Sequence, residues 1–199
     1  MGAVISSASM SLDGFIARDD NSVGDLFDWY GNGDVEVTHA GTFPPFRMTA
    51  ESARYWSEST SRVGALVVGR TLFDFTNGWG GRHPLDVPVV VVTHRSPTDW
   101  PFTTAAPFHF VTDGVEAAVD RARELAVGRD VNVTAGTMTG QALIAGLLDE
   151  IAVDLVPVVF GQGRRYFEGV AGPVRLGDPT MLIRGRSVTH LRFPAASIS

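Results

Sequence analysis

Apolar residues in this chain fall into short runs separated by glycine, and the clearest example is the stretch 131–168. Val131, Val133 and Thr134 are β-branched and predict a strand over 131–134. Ala135-Gly136-Thr137 follows as a turn. A helix is expected over 138–145, closed by Gly146, because glycine accepts the left-handed backbone that ends many helices. A second strand is expected near 150–160, where Ile151, Val153 and Leu155 alternate with Ala152, Asp154 and Val156 before the run becomes wholly apolar.

Similar punctuation recurs along the chain. A first strand is expected over 3–9, and a turn around Asp13-Gly14 returns to Phe15-Ile16-Ala17. Thr49 predicts an N-cap for a helix running to about 62, with Ala53, Trp56 and Tyr55 facing inward. A short buried strand over 65–68 ends in Gly69-Arg70-Thr71, a glycine turn that opens a helix. The run 88–93 (PVVVVT) is continuously apolar, as in strands covered on both faces. After a strand at 108–111, Asp113 and Glu116 resemble a capping box. Val115, Ala118, Val119, Ala122 and Leu125 then mark one apolar helix face. Two strands near 174–176 and 187–193 close the chain.

The stretch 19–48 stands apart. It is rich in Gly, Asp, Asn and Pro and carries Phe27, Trp29, Tyr30, Phe43 and Phe46. So long a loop in a compact domain is usually functional. Two readings stand side by side: a lid that packs on a ligand, or a surface segment with its own apolar cluster. The whole pattern reads as one α/β domain over 1–199. Its sheet is mostly parallel with an antiparallel C-terminal edge.

Composition removes several chemistries. The formal net charge of −6 argues against a general nucleic-acid binder, which presents a basic face. The chain has no cysteine, which excludes disulfides, thiolate nucleophiles and cysteine-ligated metals. All 16 basic residues are arginine, so neither a Schiff-base lysine nor a Walker-type phosphate lysine exists. No apolar run approaches the roughly 18 residues of a membrane span, and the N-terminus resembles no leader. The expectation is a cytoplasmic protein that meets neither membrane nor nucleic acid.

Three strand ends carry glycine, arginine, threonine or histidine: 69–71, 93–95 and 135–137. A strand that enters a helix through glycine aims free backbone N–H groups past its end, and the helix dipole adds partial positive charge. Such ends make an anion site, to which Thr137 and Thr139 offer hydroxyls. An ordinary βα turn reads the same way. Ligands of parallel sheets bind beyond the carboxyl ends of strands, so the convergence points to a phosphate-bearing ligand. His39, His83, His109 and His190 show no metal-ligand spacing, and no metal is expected. No nucleophile-elbow motif is present.

At these residues the chain resembles the dihydrofolate reductase-like superfamily. It is most similar to the branch of the C-terminal reductase domain of the bifunctional riboflavin-biosynthesis deaminase-reductase. The resemblance is carried by SMSLDGFIA (9–17), VVGRTLFD (67–74), VVVVTHRS (89–96) and AGTMTGQALIAGLLDEIAVDLVPVVFGQGRRYF (135–167). It implies a three-layer fold with a central eight-stranded sheet, bound NADPH, a small-molecule substrate and a homodimer. It also implies roles. Ser9 and Ile16 would border the nicotinamide through backbone groups. Gly69, Arg70 and Thr71 would hold phosphates, Thr93, His94 and Arg95 would flank the adenosine side, and Gly136, Thr137, Met138 and Thr139 would cradle the pyrophosphate.

The arginine fork suits phosphate because it donates two parallel charge-assisted bonds. Arg70 and Arg95 together would favour the 2′-phosphate of NADPH, although either can instead pair with a surface carboxylate. Two departures stand out. Ala135-Gly136 replaces the paired glycines frequent in the family, and Ala53 falls where the folate-reducing branch has a pterin-binding carboxylate. Glu51, one turn away, is the partial substitute. Asp13 is expected as the polar anchor of the reacting end, with a local turn role as its alternative. Trp29 is a candidate for stacking on a planar substrate, with core packing as its alternative. The activity implied is NADPH-dependent reduction of a ribosylamino-pyrimidine-like or other small heterocycle. The competing possibility is a nucleotide-binding module without turnover.

Overall fold

In the computed structural model, residues 1–40, 44–102 and 107–195 are described. Phe43 of the long loop lies outside them. The elements are β1 (Val4–Ser11), β2 (Phe15–Ala17), β3 (Val35–Val37), β4 (Phe46–Met48), α1 (Ala50–Ser61), β5 (Val63–Gly69), α2 (Arg70–Thr76), β6 (Val89–Val92), β7 (Phe108–Val111), α3 (Gly114–Ala126), β8 (Asp130–Thr134), α4 (Thr137–Ile144), β9 (Glu150–Val156), β10 (Arg164–Arg165), β11 (Met181–Gly185) and β12 (Val188–Pro194).

Eight strands form the central sheet in the order β11-β12-β9-β1-β8-β5-β6-β7. The six from β9 to β7 are parallel, and β12 and β11 add antiparallel at one edge. Side chains alternate between faces. Val4, Val67, Val90, Val131 and Val133 pack with Val119 and Ala122 of α3 and Ala142 of α4. Leu66, Val68, Val89 and Val91 face the opposite way, onto Phe73 of α2. On that second face Ala53 of α1 joins a smaller cluster with Leu26, Trp29, Val37 and Met48.

The sequence-based expectations meet the structure unevenly. The expected parallel strands and the 137–144 helix are present, and Gly146 sits just beyond that helix at φ +66°. Thr49 caps α1, its hydroxyl accepting from Ser52 N at 3.3 Å. Asp113 makes no capping bond; Gly114, at φ +91°, starts α3 instead. The strand expected near 174–176 is irregular chain, and the edge strand forms at Met181–Gly185. Alternation continues there, whereas the earlier stretch follows Pro173, which has no N–H to give, and only Gly177 N at its end reaches β12, at the Pro194 carbonyl. The strand expected to reach 160 stops at Val156, before Pro157.

The long 19–48 stretch is not structureless. A 3-10 turn spans Gly24–Tyr30, and β3 pairs with β4. Leu26 and Trp29 are buried there, so the segment has its own core, continuous with α1. Phe27 alone of its turn's aromatics is largely exposed.

Candidate functional site

All six parallel strands end at the same edge of the sheet. There β1 outruns β8: Ser7 pairs with Thr134, the last β8 partner, while β1 continues beside β9 to Ser11. The strand ladders therefore separate along residues 8–11, and a gap opens between the tips of β1 and β8.

The residues beyond these tips touch one another in sequence across the sheet. Arg70 Nη1 donates to Thr93 Oγ1 at 3.2 Å and to the Arg95 carbonyl at 3.0 Å, which joins the β5 tip to the β6 tip. A Cβ placed on Gly69 would stand 3.4 Å from Met138 Cγ, which joins β5 to the start of α4. A Cβ on Gly136 would stand 3.5 Å from Ile16 Cδ1, which joins α4 to β2. The tips thus form one continuous margin from Arg95 to Ile16.

Two helices open onto this margin without a side-chain cap. Gly69 and Gly136 occupy the N-cap positions of α2 and α4 and make no capping bond. The first-turn amides keep donor capacity that Thr49 absorbs at α1. Gly136 sits at φ +97°, ψ −142°, a region essentially closed to other residues. The single glycine after Ala135 is therefore sufficient for the turn. Its amide is committed to the Tyr166 carbonyl at 2.9 Å, so the donors on offer begin at Thr137.

Side chains differ in availability. Thr137, Thr71, His94 and Arg95 are exposed. Thr139 is fully buried, and its hydroxyl is spent on Ser6 Oγ at 2.5 Å and the Thr134 carbonyl at 3.1 Å. It is not free to serve an anion, contrary to the expectation for its hydroxyl. Arg70 pairs with Asp74 at 2.7 Å in the way an ordinary surface arginine does. Among the described residues its Nη2 has no protein partner, and Arg95 has no acidic partner. Arg70 is thus a brace with spare donors, and Arg95 the freer cation.

Asp13 lies just beyond β1. It accepts from Ser11 Oγ at 2.6 Å, Gly161 N at 2.7 Å and Phe160 N at 3.1 Å. These donors, the Ser11 hydroxyl foremost, hold its carboxyl at about 2. A carboxylate so satisfied is a fixed anchor for the 158–161 loop and holds no proton to donate at neutral pH. Downstream, β10 pairs with β2, and a side chain at Gly163 would collide with the Ala17 carbonyl. That explains the Gly-Gln-Gly loop as a close backbone approach.

The two candidate substrate residues differ in exposure. Trp29 is 1% exposed, stacked on Tyr30 at 4.0 Å, with Nε1 donating to Ser9 Oγ at 3.0 Å. Its packing alternative describes it, since both ring and donor are committed. Ser9 itself is buried, and its hydroxyl is the acceptor for that donor. Glu51 is exposed in the first turn of α1. On the same sheet face, a groove of about 700 Å³ runs between β3, α1 and the 84–86 turn, with Ala53, Arg54 and Trp56 on its helical wall.

Sequence reasoning missed one arrangement. Ser52, His190 and Asp154 form a buried hydrogen-bonded chain between α1, β12 and β9. The available signal was Asp154, a charge set between Val153 and Leu155 in the apolar part of β9. Among the described residues no group of three or more His, Asp or Glu is placed to hold a metal, and no helix is long and apolar enough to cross a membrane.

An eight-stranded, mostly parallel sheet with an antiparallel edge and flanking helices is the dihydrofolate reductase-like fold. The family model of the RibD C-terminal domain matches residues 3–189, and the chain belongs to that family. Solved structures agree on the fold. A putative riboflavin biosynthesis protein from Shewanella sp. PV-4 is 17% identical, with TM-score 0.72 over 98% of this chain and 99% of that one. The riboflavin biosynthesis reductase of Saccharomyces cerevisiae is 11% identical, with TM-score 0.64 over 98% and 90%. The deaminase/5-amino-6-(5-phosphoribosylamino)uracil reductase from Thermotoga maritima is 15% identical, with TM-score 0.62. This chain covers 57% of that one, and 98% of this one is matched. No curated protein matches the sequence.

Proposed function

We propose that this chain is an NADPH-dependent reductase of a small heterocycle of the ribosylamino-pyrimidine class, similar in reaction to 5-amino-6-(5-phosphoribosylamino)uracil reductases. The observation that carries this reading is the continuous margin of strand tips, where two glycine-started helices leave amides uncapped beside Arg95, an exposed arginine without an acidic partner among the described residues. These donors fit a dinucleotide: the backbone past Gly136 takes the pyrophosphate, and Arg70 Nη2 with Arg95 takes the 2′-phosphate.

When bound, the reduced nicotinamide supplies the hydride; the protein supplies placement. Ile16 and the Ser9 backbone line the gap in which the ring lies. Asp13 keeps the 158–161 loop folded over the end of β1. The proton that completes the reduction comes from water, because Asp13 stays ionised. The groove along α1 has a volume suited to the heterocycle and its ribosyl group. By the same family reading the chain works as a cytoplasmic homodimer, which sedimentation would test.

Arg70→Ala tests the reading. It should weaken NADPH by about tenfold, the order expected for one lost charge-assisted bond, and weaken NADH clearly less. The comparison is made by fluorescence titration, followed by loss of absorbance with a pyrimidine panel. Equal losses for both nucleotides would remove the 2′-phosphate role. Tight NADPH binding without oxidation by any substrate would favour the binding module, and no binding of either nucleotide would reject both.

A further inference from the structure

The reduction described above uses none of the buried polar chain at the α1 edge of the sheet. Ser52 Oγ lies 2.9 Å from His190 Nε2, and His190 Nδ1 lies 2.7 Å from Asp154 Oδ1. His190 is fully buried, and Ser52 and Asp154 are nearly so. The order hydroxyl, imidazole, carboxylate is that of a serine hydrolase. Space excludes hydrolysis: the Gly185 backbone closes over Ser52 Oγ so tightly that even a Cβ there would collide with it. No acyl group reaches the hydroxyl.

The chain instead fixes elements relative to one another. The His190 ring stacks on Tyr55 of α1 at 4.0 Å and meets the edge of Trp29 at 5.0 Å. Trp29 donates to Ser9, and Ser9 stands opposite Asp154 in the β1–β9 register. One ring therefore ties α1, the 24–30 segment, β9 and β12 to the strand that borders the gap. With Nδ1 turned to Asp154 and Nε2 to Ser52, both ring nitrogens have a hydrogen-bond partner. Burial, with the nearby Asp154 carboxylate, pushes the Tyr55 hydroxyl well above its ordinary value, so it stays a neutral donor beside that carboxylate. The groove meets α1 at Ala53, Arg54 and Trp56, and Trp56 stands one turn beyond Ser52 on the same side of the helix.

We propose that Ser52, His190 and Asp154 are a positioning relay for the reduction. They set α1, and with it the groove wall, at a fixed distance from the tip of β1. This rests on the reductase reading. The three touch neither the groove nor the margin of strand tips, so they act through α1 and Ser9.

The test uses Ser52→Ala, Asp154→Asn and the double variant, with NADPH affinity and steady-state reduction of 5-amino-6-(5-phosphoribosylamino)uracil measured on each. A relay that acts as one unit predicts NADPH affinity within about twofold of the parent, kcat/KM lower by about tenfold or more with KM raised, and a double variant no worse than the poorer single one. Folding is checked by near-UV circular dichroism. If Asp154→Asn does not fold, Ser52→Ala, which removes one hydroxyl, still decides. Unchanged kcat and KM in folded Ser52→Ala would overturn the relay. Losses that multiply in the double variant, or fall equally on NADPH affinity, would also overturn it. A parent protein that binds NADPH and reduces no pyrimidine would instead overturn the reductase reading, and the relay's role with it.

Discussion

The two sides of the β1 tip treat polar groups in opposite ways. Toward β8 and β5, Gly69 and Gly136 start helices with no side-chain cap, and Arg95 stands exposed. Toward β9 and β12, Ser52, His190, Asp154, Trp29 and Ser9 are buried and matched donor to acceptor. A buried polar group without a partner costs about 1–3 kcal/mol, and these five residues meet that cost with partners of their own, although Arg192 Nε nearby on β12 has none among the described residues. The outer side borders water and holds its donors open without that penalty. Open donors select a ligand, whereas closed ones select a geometry. The contrast separates binding from alignment within one site.

The strongest way to break this comparison is Trp29→Ala. If the 24–30 segment is core, losing this fully buried ring and its bond to Ser9 should cost about 3–5 kcal/mol in urea denaturation. A change near zero would return the segment to a lid. Gly136→Ala comes next. Its backbone angles are strained for any side chain, so a loss of roughly 1–3 kcal/mol is expected. Nucleotide binding should fall with it, because the α4 turn must shift. Retained affinity in a destabilised protein would show that the turn does not touch the ligand.

The mildest change expected is at Asp13. Its folded value of about 2 lies below the ordinary 3.8, so its contribution to stability is complete above 3.8 and is lost as pH falls through about 2. Asp13→Asn should therefore lower turnover with little effect on nucleotide affinity. The pH profile of kcat above pH 4 should keep the same inflections as the parent. An inflection that vanishes in the variant would make Asp13 a proton donor after all, and equal turnover would leave it a turn residue only.

Legibility followed locality. The unit around 131–160 was readable because each feature there depends on neighbours in sequence: β-branched residues for β8, Gly136 for the turn, Gly146 for the stop. The three strand tips carrying glycine, arginine, threonine or histidine were readable as separate motifs, but their order across the sheet was not. The commitments of individual side chains were not readable. Thr139 looked available until Ser6, 133 positions away, was found holding its hydroxyl. Asp113 looked like a cap, yet Gly114 set the backbone so that its side chain makes no capping bond.

By itself, then, the amino-acid order determined the element types, the parallel character of the central strands and the chemistries that lack of cysteine and lysine forbids. These are local or compositional properties, set by backbone preference and side-chain identity. Only the tertiary structure decided that Arg70 is braced by Asp74, that Trp29 is core, and that Ser52, His190 and Asp154 meet across 138 positions of chain. Those outcomes depend on which strands become neighbours. Burial makes unmatched polar groups costly only once those neighbours exclude water.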